Sequence, residues 1–386
     1  MATTEDWYDA LLNAVGLDGN RAILRITTTY QAAGGDGSKV FPPTFPAPGG
    51  RTGESIYLLE DRVVDGKPRN AVVLDQVPSQ ANRAEEALLR AYREGRVQVP
   101  LLQIDHSGAA PLVLTSLEFP HRYADAYLRD SLLDGEAFDR TSLGKELLSA
   151  SLADATALYS RDPGSLIYGA WNSHRKGRQQ KFPRVYSSEI VGWGPATGAR
   201  HAGRMDPANL SGARKGPADS WEFTISAKKA KDEKLSEIGH GNVAPNAQHG
   251  GVTITSAQRF ATLSLAGLDR IRFGSQPRSA AVAARAALAA YALVADRLAF
   301  GGPSLWLRSG CELVVADERI DWVLRGGATE SLTLTTSDAV DLYGLAVAEA
   351  EKQGLPFALE PVALTPSKAL AQAIDYALTK ADGDEA

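Results

Sequence analysis

The segment from Ala280 to Phe300 is the most apolar stretch of the chain, and it restricts the possible folds most narrowly. It carries Arg285, Asp296 and Arg297, whose charges make it a poor membrane-spanning segment. An alanine-rich helix over 279–300 must instead be covered by other elements of the same protein. The sequence therefore predicts a core helix, and no association with a membrane.

Composition and charge exclude several classes of protein. The chain has 386 residues, of which 44% are apolar and 23% charged, as in soluble globular proteins. A formal net charge of −5 excludes a polycation that coats nucleic acid indiscriminately, so a nucleic-acid site has to be local. The single cysteine, Cys311, excludes a disulfide framework and a zinc site with two cysteine ligands. The acidic N-terminus lacks a secretion signal, so we expect a cytoplasmic protein.

The first quarter of the chain contains clear strand and turn signals. Residues 21–30 are rich in β-branched side chains and predict a first strand. Glycine and proline prevent regular structure in the loop from Gly34 to Gly53. Asp65-Gly66, between two short apolar runs, predicts a β-hairpin.

Helical and strand patterns then alternate irregularly. A helix is predicted to begin with Ser79 as its N-cap, and a second helix over 142–159. Residues 166–171 and 185–191 have the composition of strands. This order, without the regular spacing of a parallel barrel, favours an α+β sheet domain with large insertions.

Signatures of common enzymes and metal sites are absent from the sequence. It contains no nucleophile elbow, phosphate-binding loop, dinucleotide fingerprint or zinc-protease motif. The closest histidines, His240 and His249, lie in a glycine- and asparagine-rich segment with no acidic residue between them. We therefore expect no metal, no cofactor and no catalytic residue.

Positive charge is concentrated in one part of the chain. Residues 161–234 contain 14 Lys and Arg against 7 Asp and Glu, a net charge of +7, whereas the rest of the chain has −12. The most basic part, 174–184, has no acidic residue and contributes candidate RNA-binding residues Arg175, Lys176, Arg178, Lys181 and Arg184. Such cations can offset phosphate charge, and Phe182 and Tyr186 offer rings for base stacking. A solvated surface loop is the alternative explanation.

Two polar segments are further candidates for phosphate binding. The predicted start of the helix at Ser79 would expose free N–H groups, to which Gln80, Asn82 and Arg83 add side-chain donors. His121 and Arg122 belong to a similar polar cluster after a strand. Simple helix capping would equally explain the first segment.

Several ordered blocks resemble the backbone subunit of the type I-G (formerly I-U) CRISPR Cascade complex, a member of the RAMP superfamily. They span about residues 20–275, and the most specific is Ser79-Gln-Ala-Asn-Arg83. The others are Pro120-His-Arg-Tyr-Ala-Asp-Ala126, Leu166-Ile-Tyr-Gly-Ala-Trp171, Lys181-Phe-Pro-Arg-Val-Tyr-Ser-Ser-Glu-Ile190, Gly250-Gly-Val252 and Leu263-Ser-Leu-Ala-Gly-Leu268. Pro78 and Ala170-Trp-Asn172 depart from the family pattern.

The resemblance implies a modified ferredoxin-like, RNA-recognition-type antiparallel sheet whose insertions give it the shape of a hand. The whole chain would be one elaborated domain. Its core would comprise about 20–191 and 252–335, its thumb-like basic insertion about 192–251, and its C-terminal helices about 336–386. The implied partners are crRNA, target DNA through the crRNA, further copies of the chain in a helical filament, and other Cascade subunits.

The same resemblance leaves an enzymatic alternative. Related type III backbone subunits cut target RNA with an aspartate on the loop after the first strand, where this chain has Asp36. An aspartate in Gly-Gly-Asp-Gly is also ordinary turn chemistry. We favour a non-catalytic scaffold that binds RNA by shape and charge while base pairing supplies the sequence specificity. A purely structural assembly protein would leave the basic segment unexplained.

Overall fold

A computed structural model describes residues 3–16, 19–45, 57–108, 111–173, 180–208, 213–215, 221–223 and 243–383. The helices are α1 (Thr4–Val15), α2 (Val77–Arg93), α3 (Ala126–Arg129), α4 (Ser142–Ser149), α5 (Thr156–Arg161), α6 (Pro163–Ile167), α7 (Leu265–Asp269), α8 (Arg278–Phe300), α9 (Thr336–Lys352) and α10 (Lys368–Gly383). The strands are β1 (Arg21–Ala32), β2 (Leu59–Val64), β3 (Lys67–Asp75), β4 (Leu102–His106), β5 (Leu112–Thr115), β6 (Ser131–Leu133), β7 (Glu136–Ala137), β8 (Ala170–Asn172), β9 (Gln180–Phe182), β10 (Tyr186–Trp193), β11 (Ala196–Arg204), β12 (Ala213–Lys215), β13 (Trp221–Phe223), β14 (Val243–Thr253), β15 (Ser256–Ser264), β16 (Ser304–Arg308), β17 (Cys311–Leu324), β18 (Thr329–Leu332) and β19 (Val362–Pro366).

The largest sheet has the strand order β16-β17-β1-β15-β10-β3-β2, with β18 beside β17. Its four central strands are mutually antiparallel, and in chain order they are β1, β10, β15 and β17. Helix α2 follows the first of these strands, and α8 connects the third to the fourth. This is the β-α-β-β-α-β arrangement of ferredoxin-like folds, enlarged by insertions. The α+β fold prediction is confirmed.

The two faces of this sheet differ in burial because side chains alternate along each strand. In β1, Leu24 and Ile26 are buried in the main core, whereas Arg25 and Thr27 are half-buried on the opposite face. The core cluster that contains Leu24 and Ile26 also contains the alanines and leucines of α8. The sheet is therefore covered by helices on one face.

Helix α8 is the alanine-rich segment expected to lie in the core. It is long and apolar enough to cross a membrane, but 83% of its most apolar window is buried inside the fold. It packs against α1, α2 and α9, and its small alanine side chains let these helices approach closely. Its apolar character is explained by this packing, which fits a protein outside the membrane.

A β-hairpin extends from the sheet between β10 and β15, within the predicted basic insertion. Strands β11 and β14 pair antiparallel, and β12 pairs with β13 between them. Residues 209–212, 216–220 and 224–242 of this insertion lie outside the described residues. We call the β11–β14 pair the inserted hairpin.

Local predictions succeeded where a turn residue determined the structure. Asp65 and Gly66 have φ values of 50° and 73° and connect β2 to β3, as expected for an Asp-Gly hairpin.

The predicted helix over 142–159 is instead two helices, α4 and α5. The chain leaves the helical conformation at Ala150, where φ is −55° and ψ is 143°.

The predicted strand over 166–171 was wrong. Asp162 caps α6 by accepting a hydrogen bond from the N–H of Ser165, and Pro163 occupies the first turn. The helix places Leu166 and Ile167 in the core. Only Ala170–Asn172 forms a strand, after Gly169 reverses the chain with a φ of 84°.

Candidate nucleic-acid interface

The first turn of α2 is organised around Asp75, the last residue of β3. This carboxylate is buried and accepts hydrogen bonds from Ser79 Oγ at 2.7 Å, Gln80 Nε2 at 2.5 Å and Arg83 Nε at 2.8 Å. Arg83 also donates to the carbonyl oxygen of Leu307 at 2.8 Å. Asp75 thereby fixes α2 to the end of the neighbouring strand.

Gln80 continues this network into the centre of the protein. Its Oε1 accepts hydrogen bonds from Ser188 Oγ at 2.7 Å and from Arg259 Nε at 3.2 Å. Arg259 forms an ion pair with Asp296 of α8, and both side chains are fully buried. Burial alone would raise the pKa of Asp296, but Arg259 and Arg297 hold it at about 2. The carboxylate therefore stays ionised inside the core.

A cleft of about 1020 Å³ lies between one face of α2 and the segment that follows β5. Asn82 and Arg90 are exposed along α2, and Arg184, just before β10, is exposed at the wall of the cleft. The lining residues are Pro78, Ala81, Asn82, Glu86, Leu89, Arg90, Arg93, Glu94, Leu117, Glu118, Phe119, Pro120, Arg122, Tyr168 and Arg184. Four arginines and three glutamates lie among apolar side chains, so the cleft presents both charged and apolar surface.

A second cleft of about 520 Å³ adjoins the first, and both are lined by Pro120 and Arg122. Arg122 donates bidentate hydrogen bonds to Glu85 at 2.6 and 2.8 Å and a third bond to the carbonyl oxygen of Gly169 at 2.9 Å. Its guanidinium also lies 5.4 Å from the ring centre of Tyr168. Arg122 therefore holds the wall that the two clefts share.

An exposed aromatic ring lies at the far side of the second cleft. Trp171 of β8 is 56% exposed, lines this cleft and pairs across strands with Lys181 of β9. The ammonium of Lys181 lies 5.8 Å from the ring centre of Trp171. A flat exposed ring beside a cation is the combination that binds unpaired bases and their phosphates.

Comparison with known proteins bears on this region directly. Residues 24–196 match the family model described as CRISPR-associated protein GSU0053. This match supports a CRISPR-associated protein. The matched stretch runs from β1 to the start of the inserted hairpin and includes both clefts. A search of the curated proteins finds no match.

Several predicted binding residues form hydrogen bonds within the protein. Helix α2 begins at Val77 with Gln76 as its N-cap, so Ser79 does not cap it. Gln80 is only 1% exposed, and its prediction as a surface donor was wrong because its amide is used inside the core. The side chains of Ser79 and Arg83 donate to Asp75, and Arg122 pairs with Glu85. Arg122 lines both clefts, whereas the other three residues anchor α2 through Asp75.

The other predicted residues fall into two groups. Asn82 and Arg184 line the first cleft, His121 lines the second, and Lys181 stands beside Trp171. Their roles in RNA binding stay predictions. The remaining predicted residues lie outside the described residues, in the connection between β8 and β9, and are Arg175, Lys176 and Arg178.

Sequence reasoning chose the wrong aromatic rings. Phe182 and Tyr186 are buried, Phe182 against Tyr123 and Tyr186 with its hydroxyl donating to Asp296 at 2.6 Å. Trp171 was missed because it was assigned to a continuous strand. The available signal was the Gly169 turn, which makes residues 170–172 a short strand beside the basic segment.

The described residues also bear on metal binding. In that part of the chain, no three His, Cys, Asp or Glu side chains lie close enough together to hold a metal ion. The side chains of His240 and His249 lie outside the described set. Asp36 is exposed on the loop after β1.

Glu85, which pairs with Arg122 in the wall between the clefts, should make the stability of the protein depend on pH. Burial raises the pKa of Glu85 from 4.5 to about 7, although Arg122 acts in the opposite direction. Between pH 4.5 and about 7, Glu85 therefore binds a proton more strongly in the folded state than in the unfolded chain. The free energy of unfolding should therefore fall as pH rises from about 4.5 to 7.

In the wild-type protein, Glu85 should lower the free energy of unfolding by on the order of 1 to 3 kcal/mol between pH 5 and 7.5. We expect Glu85→Gln to remove this pH dependence. Burial also raises the pKa of Asp162, so a slope of the same sign should remain in Glu85→Gln. Urea unfolding at both pH values measures the effect, and exposed Glu94→Gln is the matched control. Equal pH dependence in the wild-type protein and Glu85→Gln would contradict the assignment.

Proposed function

We propose that this chain is a guide-RNA-binding backbone subunit of a type I-G CRISPR surveillance (Cascade) complex. Copies of it would polymerise along the crRNA in the cytoplasm, together with other Cascade subunits, and present the spacer for pairing with target DNA. The observation that carries the proposal is the run of exposed Asn82, Arg90, Arg184, Lys181 and Trp171 along two adjoining clefts.

The geometry suits a strand recognised through its backbone. Arginine and lysine offset phosphate charge without reading sequence, and Trp171 provides a stacking surface for any base. In the sequence, the basic segment 174–179 connects β8, which carries Trp171, to β9. Base pairing of the guide would then supply the specificity.

The proposed role is non-catalytic, which separates it from the RNA-cleaving alternative at Asp36. An assembled complex incubated with complementary RNA and Mg²⁺ should leave that RNA intact over a time course resolved on a denaturing gel. Asp36→Ala should give the same pattern as the wild-type complex. Cuts at regular intervals that vanish in Asp36→Ala would establish the nuclease and overturn the non-catalytic role.

A further inference from the structure

The loop Ala33–Phe41 after β1 is fastened to the base of the inserted hairpin. Val40 and Val252 exchange two backbone hydrogen bonds of 2.8 Å, which form an antiparallel bridge to β14. The N–H of Phe41 donates to the carbonyl oxygen of Gly310 at 3.1 Å, in the turn between β16 and β17. The loop is thus held between the hairpin and the edge of the sheet.

Lys39 is the cation of this loop and is exposed. Among the described residues, none forms an ion pair with its ammonium. Its Nζ lies over the backbone of Gly198 in β11, where a Cβ atom would come within 3.2 Å of it. The charge is therefore presented at the point where the hairpin leaves the sheet, over backbone that has no side chain.

The backbone of the same loop is also accessible. Gly35 and Gly37 have φ values of 81° and 77°, and a Cβ at either position would meet no atom within 4 Å. The N–H groups of Asp36 and Gly37 donate to no residue in the described part of the chain. A cation beside free backbone amides on a glycine-rich turn suits a phosphate oxygen. The exposed carboxylate of Asp36 lies on the same turn and would act against this attraction.

We propose that Lys39 contacts a backbone phosphate of a single nucleic-acid strand at the base of the inserted hairpin. This rests on the proposed function and extends the RNA path beyond the two clefts. Lysine supplies a flexible point charge, so the contact should not depend on base sequence. The phosphate could belong to RNA or DNA, and the test separates the two.

The test is equilibrium binding of the full chain, stripped of nucleic acid at high salt, to labelled single strands. We would use two unrelated RNA sequences and one DNA strand, each over a salt series. Lys39→Ala should weaken binding about 3- to 10-fold at low salt and reduce the salt slope by about 0.7. Lys39→Arg should retain binding, and Lys145→Ala, an exposed lysine on α4, is the matched control.

A further variant tests position without changing charge. Gly198→Val should displace the ammonium of Lys39 and weaken binding about as much as Lys39→Ala, with an unchanged thermal midpoint. A loss confined to RNA or to DNA would identify the strand that supplies the phosphate. Equal affinities and slopes for Lys39→Ala and wild type would overturn the inference alone, whereas absence of RNA binding by the wild-type chain would overturn the proposed function as well.

Discussion

Replacing Asp296 with alanine should lower the free energy of unfolding by about 3 to 5 kcal/mol, because it leaves buried Arg259 without its counterion. It also removes a carboxylate from Arg297, which keeps its ion pair with Glu318. Asp296 pairs with Arg259 and accepts hydrogen bonds from Arg297 at 2.7 and 3.0 Å and from Tyr186 Oη at 2.6 Å. Both arginines are at most 2% exposed, so water cannot replace the lost carboxylate. Chemical denaturation at neutral pH measures the change.

An exposed ion pair provides the control for this prediction. Lys352 pairs with Glu349 one turn away on α9, and its side chain is 67% exposed. Lys352→Ala should change the free energy of unfolding by less than about 1 kcal/mol. If Asp296→Ala were as mild as Lys352→Ala, the buried network would not be the link that fixes α2 to the sheet and α8.

Removing charge from the basic segment should have the largest effect on binding. Replacing Arg175, Lys176, Arg178 and Lys181 together with alanine should weaken guide-RNA binding about 10- to 100-fold at moderate salt, with a shallower salt slope. Three of these residues lie outside the described residues, and the ammonium of the fourth, Lys181, lies 5.8 Å from the ring centre of exposed Trp171. Lys181 is exposed, and we expect the variant to keep its fold. Filter binding and circular dichroism measure the two properties.

A second quadruple variant separates local contact from overall charge. It replaces exposed cations outside the clefts, Lys67, Arg140, Lys145 and Lys352, and has the same net charge as the test variant. It should bind guide RNA within about 3-fold of the wild-type protein. Equal losses in the two variants would show that general electrostatic attraction, rather than the basic segment, holds the RNA.

The parts of the fold that sequence predicted are those fixed by local physical chemistry. Alternation in β1 and the Asp65-Gly66 turn depend on side-chain periodicity and on φ preferences, which are visible in the chain itself. The alanine-rich α8 could be predicted to lie in the core because its length and apolar character leave few other placements. The α+β class followed from the order of these elements.

The site could be predicted only in part, because burial of polar side chains depends on tertiary contacts. In the sequence, Gln80 and Arg122 look like polar residues of a surface. In the folded protein, they donate hydrogen bonds to the buried carboxylates of Asp75 and Glu85. No sequence pattern indicates that Asp75 accepts hydrogen bonds from the residues four, five and eight positions after it. Trp171 became recognisable only when the turn at Gly169 placed it opposite Lys181.

The nucleic-acid content of the purified complex decides whether the chain carries guide RNA. The protein should be co-expressed with a CRISPR array and the other subunits, purified, and assessed by absorbance ratio and sequencing of the extracted RNA. We expect a large particle that contains guide RNA of defined length. A protein free of nucleic acid under every salt condition would contradict it.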